Sequence, residues 1–234
     1  MNKLYIVMPA YNEEETIRAV VDQWYPCLAS AAPGSALVVD ISGSRDRTEE
    51  ILKEMLPAHP ALVILSGGRT THGPKLIRLY KYAIAHGVDY VFQTDSDGQT
   101  NPAEFPRFWN DRNKYAAQLG YRRKRGDGFA RKVVEVVLCQ IVRVYFGVSV
   151  PDTNAPFRLM DRKVLAKYIK RFRPNYNLPN VMLSVFFTYY EENVIFREIS
   201  FLPRQGGTNS INIKKITLIG LRALADFLRI RLRM

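Results

Sequence analysis

The stretch FQTDSDGQTNP, residues 92–102, runs from an apolar segment straight into two aspartates one residue apart. Upstream of it the hydrophobic period alternates between that of a strand and that of a helix. LYIVM (4–8), ALVVD (36–40), LVIL (62–65) and DYVFQT (89–94) read as buried strands. Residues 13–28, 46–55 and 74–86 carry helical spacing, the first with Asn12 and Glu15 placed as a capping box. This alternation predicts an α/β fold with a Rossmann-like, mostly parallel central sheet flanked by helices. In such sheets ligands sit at the carboxyl ends of the strands. Three of the strands run into polar clusters, PAYNEEE, DISGSRD and DSDGQ, so three candidate binding loops share one edge.

After Pro102 the alternation gives way to a mixed second half. Residues 102–114 read as a helix, 115–121 as a strand, and 128–146 as a long amphipathic helix. Residues 157–160 read as a short strand leading into a helix that ends near 171, 194–201 as a strand, and 212–233 as a terminal helix. There is no repeat, low-complexity tract or linker. With 234 residues, 47% of them hydrophobic, the chain supports one core.

Composition narrows the function classes. No uncharged apolar run reaches the roughly 18 residues of a membrane span; 133–150 is interrupted by Glu135, Gln140 and Arg143. The N-terminus MNKLYIVMPAYNEEE lacks the features of a signal peptide, so a cytosolic protein is expected. Cys27 and Cys139 are expected to be buried free thiols, and the three histidines have no metal-ligand spacing. The net charge of +12 is concentrated: nine basic residues against two acidic between Arg107 and Lys132, and six against one between Lys214 and Arg233. Such concentration fits an anionic partner or a solvated basic face. Nucleic acid is disfavoured as that partner, because no recognition motif accompanies the basic runs and the acidic sheet edge repels phosphate unless a cation intervenes.

Asp95 and Asp97 admit two readings. They cap a turn, as aspartates often do, or they hold a hard cation with help from the oxygens of Gln99 and Thr100 beside the flexible Gly98. Asp40, Glu13 and Asp46 fall at the same predicted edge, and carboxylates gathered without a cation repel one another. That set suits Mg²⁺ or Mn²⁺, which keeps waters and takes its remaining ligands from a diphosphate.

IVMPAYNEEETI, VVDISGSRDRT and DYVFQTDSDGQ, in this order, resemble the successive motifs of family 2 glycosyltransferases with the GT-A fold. GYRRKRGDGFARK and PDTNAPFRLMDRKVL extend the resemblance toward dolichyl-phosphate mannose synthases and bacterial polyprenyl-phosphate glycosyltransferases. The resemblance implies a GT-A domain over 1–211, with a nucleotide-sugar-binding half (1–101) and an acceptor half (102–211), followed by a basic amphipathic helix (212–234). It implies that Pro9, Tyr11 and Glu13 line the nucleotide pocket and that Asp40 holds the base or ribose. Asp95 and Asp97 would hold the metal and the diphosphate of a UDP- or GDP-linked sugar, with Asp97 catalytic, and Gln99 would add a metal or sugar contact. Three positions depart from the family pattern. Asp40-Ile41-Ser42 stands where two adjacent aspartates are usual, Pro156 where a glycine precedes Phe-Arg, and GPKLIRLYKY where a helix of small residues is usual.

The acceptor is read from what the second half lacks. A sugar hydroxyl needs a carboxylate base, and the segment FRPNYNLPNVMLSVFF, where hydroxyl-directed relatives carry it, has neither Asp nor Glu. A phosphate monoester is already anionic near pH 7, with a second pKa of about 6, and needs cations instead. Arg122, Arg123, Lys124, Arg125 and Arg131 stand in place to supply them, with Arg122 and Arg131 gripping the acceptor phosphate together with Arg204. A polyprenyl phosphate acceptor implies peripheral contact with the cytoplasmic membrane face. The terminal stretch interleaves Ile216, Ile219, Leu224 and Phe227 with basic residues, as an interfacial helix does, or as a helix packed on its own domain does. A saccharide hydroxyl acceptor and a catalytically silent nucleotide-sugar binder are the alternatives.

Overall fold

The computed structural model describes residues 1–123, 129–203, 224, 226–232 and 234, with side chains described outside 129–133. Seven strands form one sheet in the order β3-β2-β1-β4-β6-β5-β7. They are β1 (Leu4–Pro9), β2 (Ala36–Asp40), β3 (Leu62–Leu65), β4 (Tyr90–Thr94), β5 (Ala117–Tyr121), β6 (Phe157–Asp161) and β7 (Val194–Glu198). β1 pairs in parallel with β2 and with β4, and β2 with β3. β6 runs antiparallel to both β4 and β5, and β7 returns parallel to β5. The expected mostly parallel sheet with a mixed second half is therefore present.

Helices cover both faces. α1 (Ile17–Trp24), α2 (Thr48–Met55) and α4 (Phe105–Asn110) take one face; α3 (His72–Ala85), α5 (Phe129–Phe146), α6 (Arg162–Ile169) and α7 (Pro179–Tyr189) take the other. The strand period of two divides β1 between the two cores. Leu4, Ile6 and Met8 pack with Trp24, Phe92 and Phe105, and Tyr5 and Val7 pack with Leu76, Tyr80 and Leu183. A strand buried on both faces reads as a continuous apolar run, as LYIVM does.

Two sequence expectations about helices are corrected, and one helix is added. Helix α1 starts at Ile17 with Thr16 as its N-cap, and Asn12 is no capping residue. Asn12 instead takes a left-handed conformation (φ 53°), and its side-chain oxygen accepts the Arg45 amide at 2.9 Å, joining the loops after β1 and β2. Residues 102–114 form α4 with a 3-10 turn on either side, because Pro102 and Pro106 each restart the chain. Helix α7 was not anticipated. Phe227, in the stretch read either as an interfacial helix or as one packed on its own domain, is fully buried 5.7 Å from the ring of Phe146, so this end of the terminal helix takes the second course. The remainder of that helix lies outside the described residues. Cys27 and Cys139 are free and half-buried, and burial pushes both thiols up. Among the described residues no helix is long and apolar enough to cross a membrane.

Candidate active site

From β1 the chain steps outward to β2 and β3, then returns to the other side of β1 as β4. The carboxyl ends of β1 and β4 thus flank the crevice where strand order reverses, the place where open α/β sheets bind ligands. A cleft of about 270 Å³ opens there. Of the residues singled out from sequence, it is lined by Pro9, Tyr11, Glu13, Asp95 and Asp97. Thr70, His72, Lys75 and Ser96 join them and were not foreseen.

The two aspartates are held by a braced loop. Ser96 donates its hydroxyl to the Pro9 carbonyl (3.0 Å), and Thr16 donates to the Glu13 carboxylate (3.0 Å) and the Ser96 carbonyl (3.3 Å). Gly98 supplies the left-handed turn (φ 70°), after which the Gln99 amide donates to Asp97 Oδ1 at 3.2 Å. Gln93, on β4, donates to Asp95 Oδ1 at 3.2 Å. Burial raises the Asp95 carboxyl well above its ordinary range, the Asp97 charge adds to this, and Arg122 and Arg158 oppose it. Such crowding is relieved by a cation. Among the described residues no three His, Cys, Asp or Glu side chains form a complete metal cage. Two carboxylates open to a cleft fit Mg²⁺ or Mn²⁺, which completes its shell with water and phosphate oxygens.

Behind this loop a polar relay crosses the core. Asn180, in the first turn of α7, donates its side-chain amide to Gln93 Oε1 (3.0 Å) and accepts from the Tyr80 hydroxyl (2.8 Å). The fully buried Arg158 guanidinium donates to the carbonyls of Thr153 (2.7 Å), Ala155 and Asn180 (both 2.8 Å). Burial without a carboxylate in hydrogen-bond reach lowers its pKa to about 10.

Lys75 enters the cleft from the first turn of α3. It is 2% exposed, donates to the Ala10 carbonyl and lies 5.3 Å from the centre of the Tyr11 ring. Burial lowers its pKa to about 8, with Asp40 and Glu13 acting in the opposite direction. Just before Lys75, α3 runs against the 176–177 backbone, which it can do because residue 73 is glycine: a Cβ there would stand 2.4 Å from the Asn177 carbonyl oxygen.

The other expected residues stand apart from the cleft. Asp40 is fully buried; its Oδ1 accepts from the Ser42 amide (2.9 Å) and hydroxyl (2.5 Å), and its Oδ2 pairs with Arg78 (3.3 Å). It organises the altered Asp-Ile-Ser loop from beneath. Gln99 is buried too. Its side-chain amide donates to the Leu202 carbonyl (2.9 Å) and its carbonyl accepts the Leu202 amide (2.8 Å), clamping the segment after β7 to the aspartate loop. Arg122, 6% exposed at its side chain, grips Asp152 with a two-pronged pair (2.7 and 3.0 Å) and lies 3.8 Å from Glu135. It stands close enough to Asp95 to stabilise that carboxylate. The side chains of Lys124, Arg125, Arg131 and Arg204 lie outside the described residues.

A doubly covered sheet with an acidic cleft at its switch point, braced so that two aspartates face one space, defines an α/β protein of the GT-A type. The model of the glycosyl transferase family 2 matches residues 5–169, and the chain belongs to that family. It is 25% identical over 221 residues to an undecaprenyl-phosphate 4-deoxy-4-formamido-L-arabinose transferase of Pectobacterium carotovorum, covering 90% of this chain and 63% of that protein. It is 27% identical over 167 residues to the uncharacterised glycosyltransferase YkcC of Bacillus subtilis, covering 68% of this chain and 49% of that one. The chain thus spans about half to two thirds of the length of these relatives. Among solved structures, glucosyl-3-phosphoglycerate synthase from Mycobacterium tuberculosis with phosphoglyceric acid superposes with a TM-score of 0.71 at 21% identity, covering 98% of this chain and 80% of that one. The same enzyme with Mn²⁺, UDP-glucose and glycerol 3-phosphate superposes at 0.69. These likenesses establish the GT-A fold.

Proposed function

We propose that this chain is a metal-dependent, inverting glycosyltransferase that moves a sugar from a nucleoside-diphosphate sugar to a polyprenyl phosphate. The observation that carries this reading is the division of charge along one sheet edge. Glu13, Asp95 and Asp97 gather at the ends of β1 and β4, Arg122 and Arg123 follow β5, and residues 171–190 hold no Asp or Glu. The names of the Pectobacterium relative and of the Mn²⁺ and UDP-glucose complex support the same classes of acceptor, metal and donor.

On this reading Pro9, Tyr11 and Glu13 wall the donor's nucleotide, and Asp95 and Asp97 hold Mg²⁺ or Mn²⁺. When bound, the cation supplies positive charge to the leaving diphosphate. Lys75 adds a second positive charge at the same cleft. An acceptor phosphate oxygen forms its bond to the anomeric carbon as the bond to the diphosphate breaks on the opposite face, which inverts that carbon. Arg122, with Arg131 and Arg204, holds the acceptor phosphate, and Asp152 fixes Arg122 in its orientation. Peripheral association with the cytoplasmic face of a membrane follows from such an acceptor.

A second reading, transfer to a saccharide hydroxyl, rests on Glu135. Its carboxyl is pushed up by burial and by Asp152, and it stands beside Arg122 on the acceptor flank. Consumption of UDP- and GDP-sugars with Mn²⁺ or Mg²⁺, with and without a short polyprenyl phosphate, separates the two. Lipid-dependent release of nucleoside diphosphate, lost in Asp97→Ala, is the expected result. Turnover on soluble saccharides alone selects the second reading, and donor binding without transfer to either leaves a silent binder.

A further inference from the structure

We infer that the chain carries a second anion-binding pocket, distinct from the aspartate cleft, that takes a phosphate group borne on an organic ester. The pocket, about 370 Å³, is larger than the donor cleft and shares no lining residue with it. It lies where the turn after α6, the helix α7 and residues 226–230 of the terminal helix meet.

Its wall is cationic. Lys170, Arg171, Arg173 and Arg229 line it, against the single carboxylate of Asp226, which stands 3.7 Å from Arg229. Lys170 and Arg173 are exposed and have no ion-pair partner among the described residues. Arg171 is held in place: it donates one hydrogen bond to the Tyr190 hydroxyl (2.9 Å) and lies over the rings of Tyr190 (5.0 Å) and Phe186 (5.4 Å). A guanidinium oriented in this way keeps other N–H groups for an oxyanion.

The second, independent observation is Tyr176. It is 9% exposed, it lines the pocket, and its hydroxyl is the one buried side-chain polar atom without a hydrogen-bond partner among the described residues. Burial raises its pKa, so the group is a neutral O–H donor near pH 7. Buried donors are rarely left unmatched, and an unmade bond costs stability. A phosphate oxygen among these cations supplies the missing acceptor. The floor beside it is apolar: Phe172 stacks on Tyr176 at 5.2 Å and approaches Phe186 at 5.8 Å. An ester carbon skeleton therefore fits better than a bare ion.

The test is calorimetric titration of the intact chain in EDTA, with inorganic phosphate, phenyl phosphate and dihexanoyl phosphatidylglycerol as probes. An ester probe is expected to bind more tightly than inorganic phosphate; preference for the phenyl ester marks a soluble ligand, and preference for the glycerophospholipid a lipid headgroup. Tyr176→Phe and Arg173→Ser are each expected to weaken binding about tenfold, the loss of one charge-assisted hydrogen bond, while Asp97→Asn leaves it unchanged. Tyr176→Phe is also expected to raise the melting temperature of the free protein, since it removes an unmatched polar atom, and to shrink the rise that the ligand causes. The proposal is overturned if no ester binds, if Tyr176→Phe binds as the parent does or melts lower without ligand, or if Asp97→Asn abolishes the signal.

Discussion

Asn180 and Gln93 meet at 3.0 Å across the core, so the first turn of α7 helps to set the strand that carries Asp95. Asn180→Ala strands both Gln93 Oε1 and the Tyr80 hydroxyl. It is expected to cost about 1–3 kcal/mol of stability, as for other buried polar groups deprived of a partner. It should also weaken Mn²⁺ binding several-fold although it touches no metal. Chemical denaturation reads the first effect and Mn²⁺ titration monitored by water-proton relaxation the second; unchanged Mn²⁺ affinity would remove Asn180 from the site's support.

Lys75 gives two pH slopes of opposite sign. Its folded pKa is about 8 against an ordinary 10.5, so between those values the unfolded chain holds the extra proton and this residue's contribution to stability rises with pH. Binding of an anionic diphosphate uses the protonated amine, so donor affinity is expected to fall as pH rises through about 8. Lys75→Met should flatten both slopes. Thermal melts and donor titrations from pH 7 to pH 10 check them in one series.

Gly73→Ala should damage the same cleft through sterics alone. The added Cβ meets the Asn177 carbonyl carbon and the Tyr176 carbonyl oxygen at 2.5 Å, backbone atoms that cannot rotate away. The cost expected of overpacking is about 1–3 kcal/mol. Donor affinity should fall with it, since α3 must draw Lys75 back; a melting curve and a donor titration report each.

Arg122→Met is expected to lower stability by about 3–5 kcal/mol, because the buried Asp152 and Glu135 lose a shared counter-charge. Loss of activity in that variant is therefore interpretable only beside its denaturation curve. Arg122→Lys, which keeps the charge and loses the fork, should recover part of the stability and less of the acceptor affinity.

How much of this was readable in advance depended on where each residue's partners lie. The four strands β1 to β4 were legible because burial on both faces writes itself as an apolar run, and the DSDGQ turn because Asp, Ser and Gly directly after such a run mark a turn whatever their partners are. Helix α7 was not, since every residue from Pro179 to Phe187 is buried and an all-round apolar helix has no polar face to mark its period. Asn12 carries the residue type of a cap yet serves a loop 33 positions away. Lys75 was not singled out, and the departure at GPKLIRLYKY was the one sequence signal near it. Asp40 lined up with its family position, but the following Ile41-Ser42 folds the carboxylate inward.

One strand running backward changes what the functional edge can draw on. In a uniformly parallel sheet only outgoing chain reaches that edge; β6 begins there, with Thr94 of β4 opposite Phe157, so an incoming connection arrives as well. The loop bearing Asp152 and Thr153 is delivered that way, between two loops that leave β4 and β5. The flank built on β5, β6 and β7 can accordingly be re-tooled by exchange of three neighbouring loops, while the β1–β4 pairing and its aspartates keep their register.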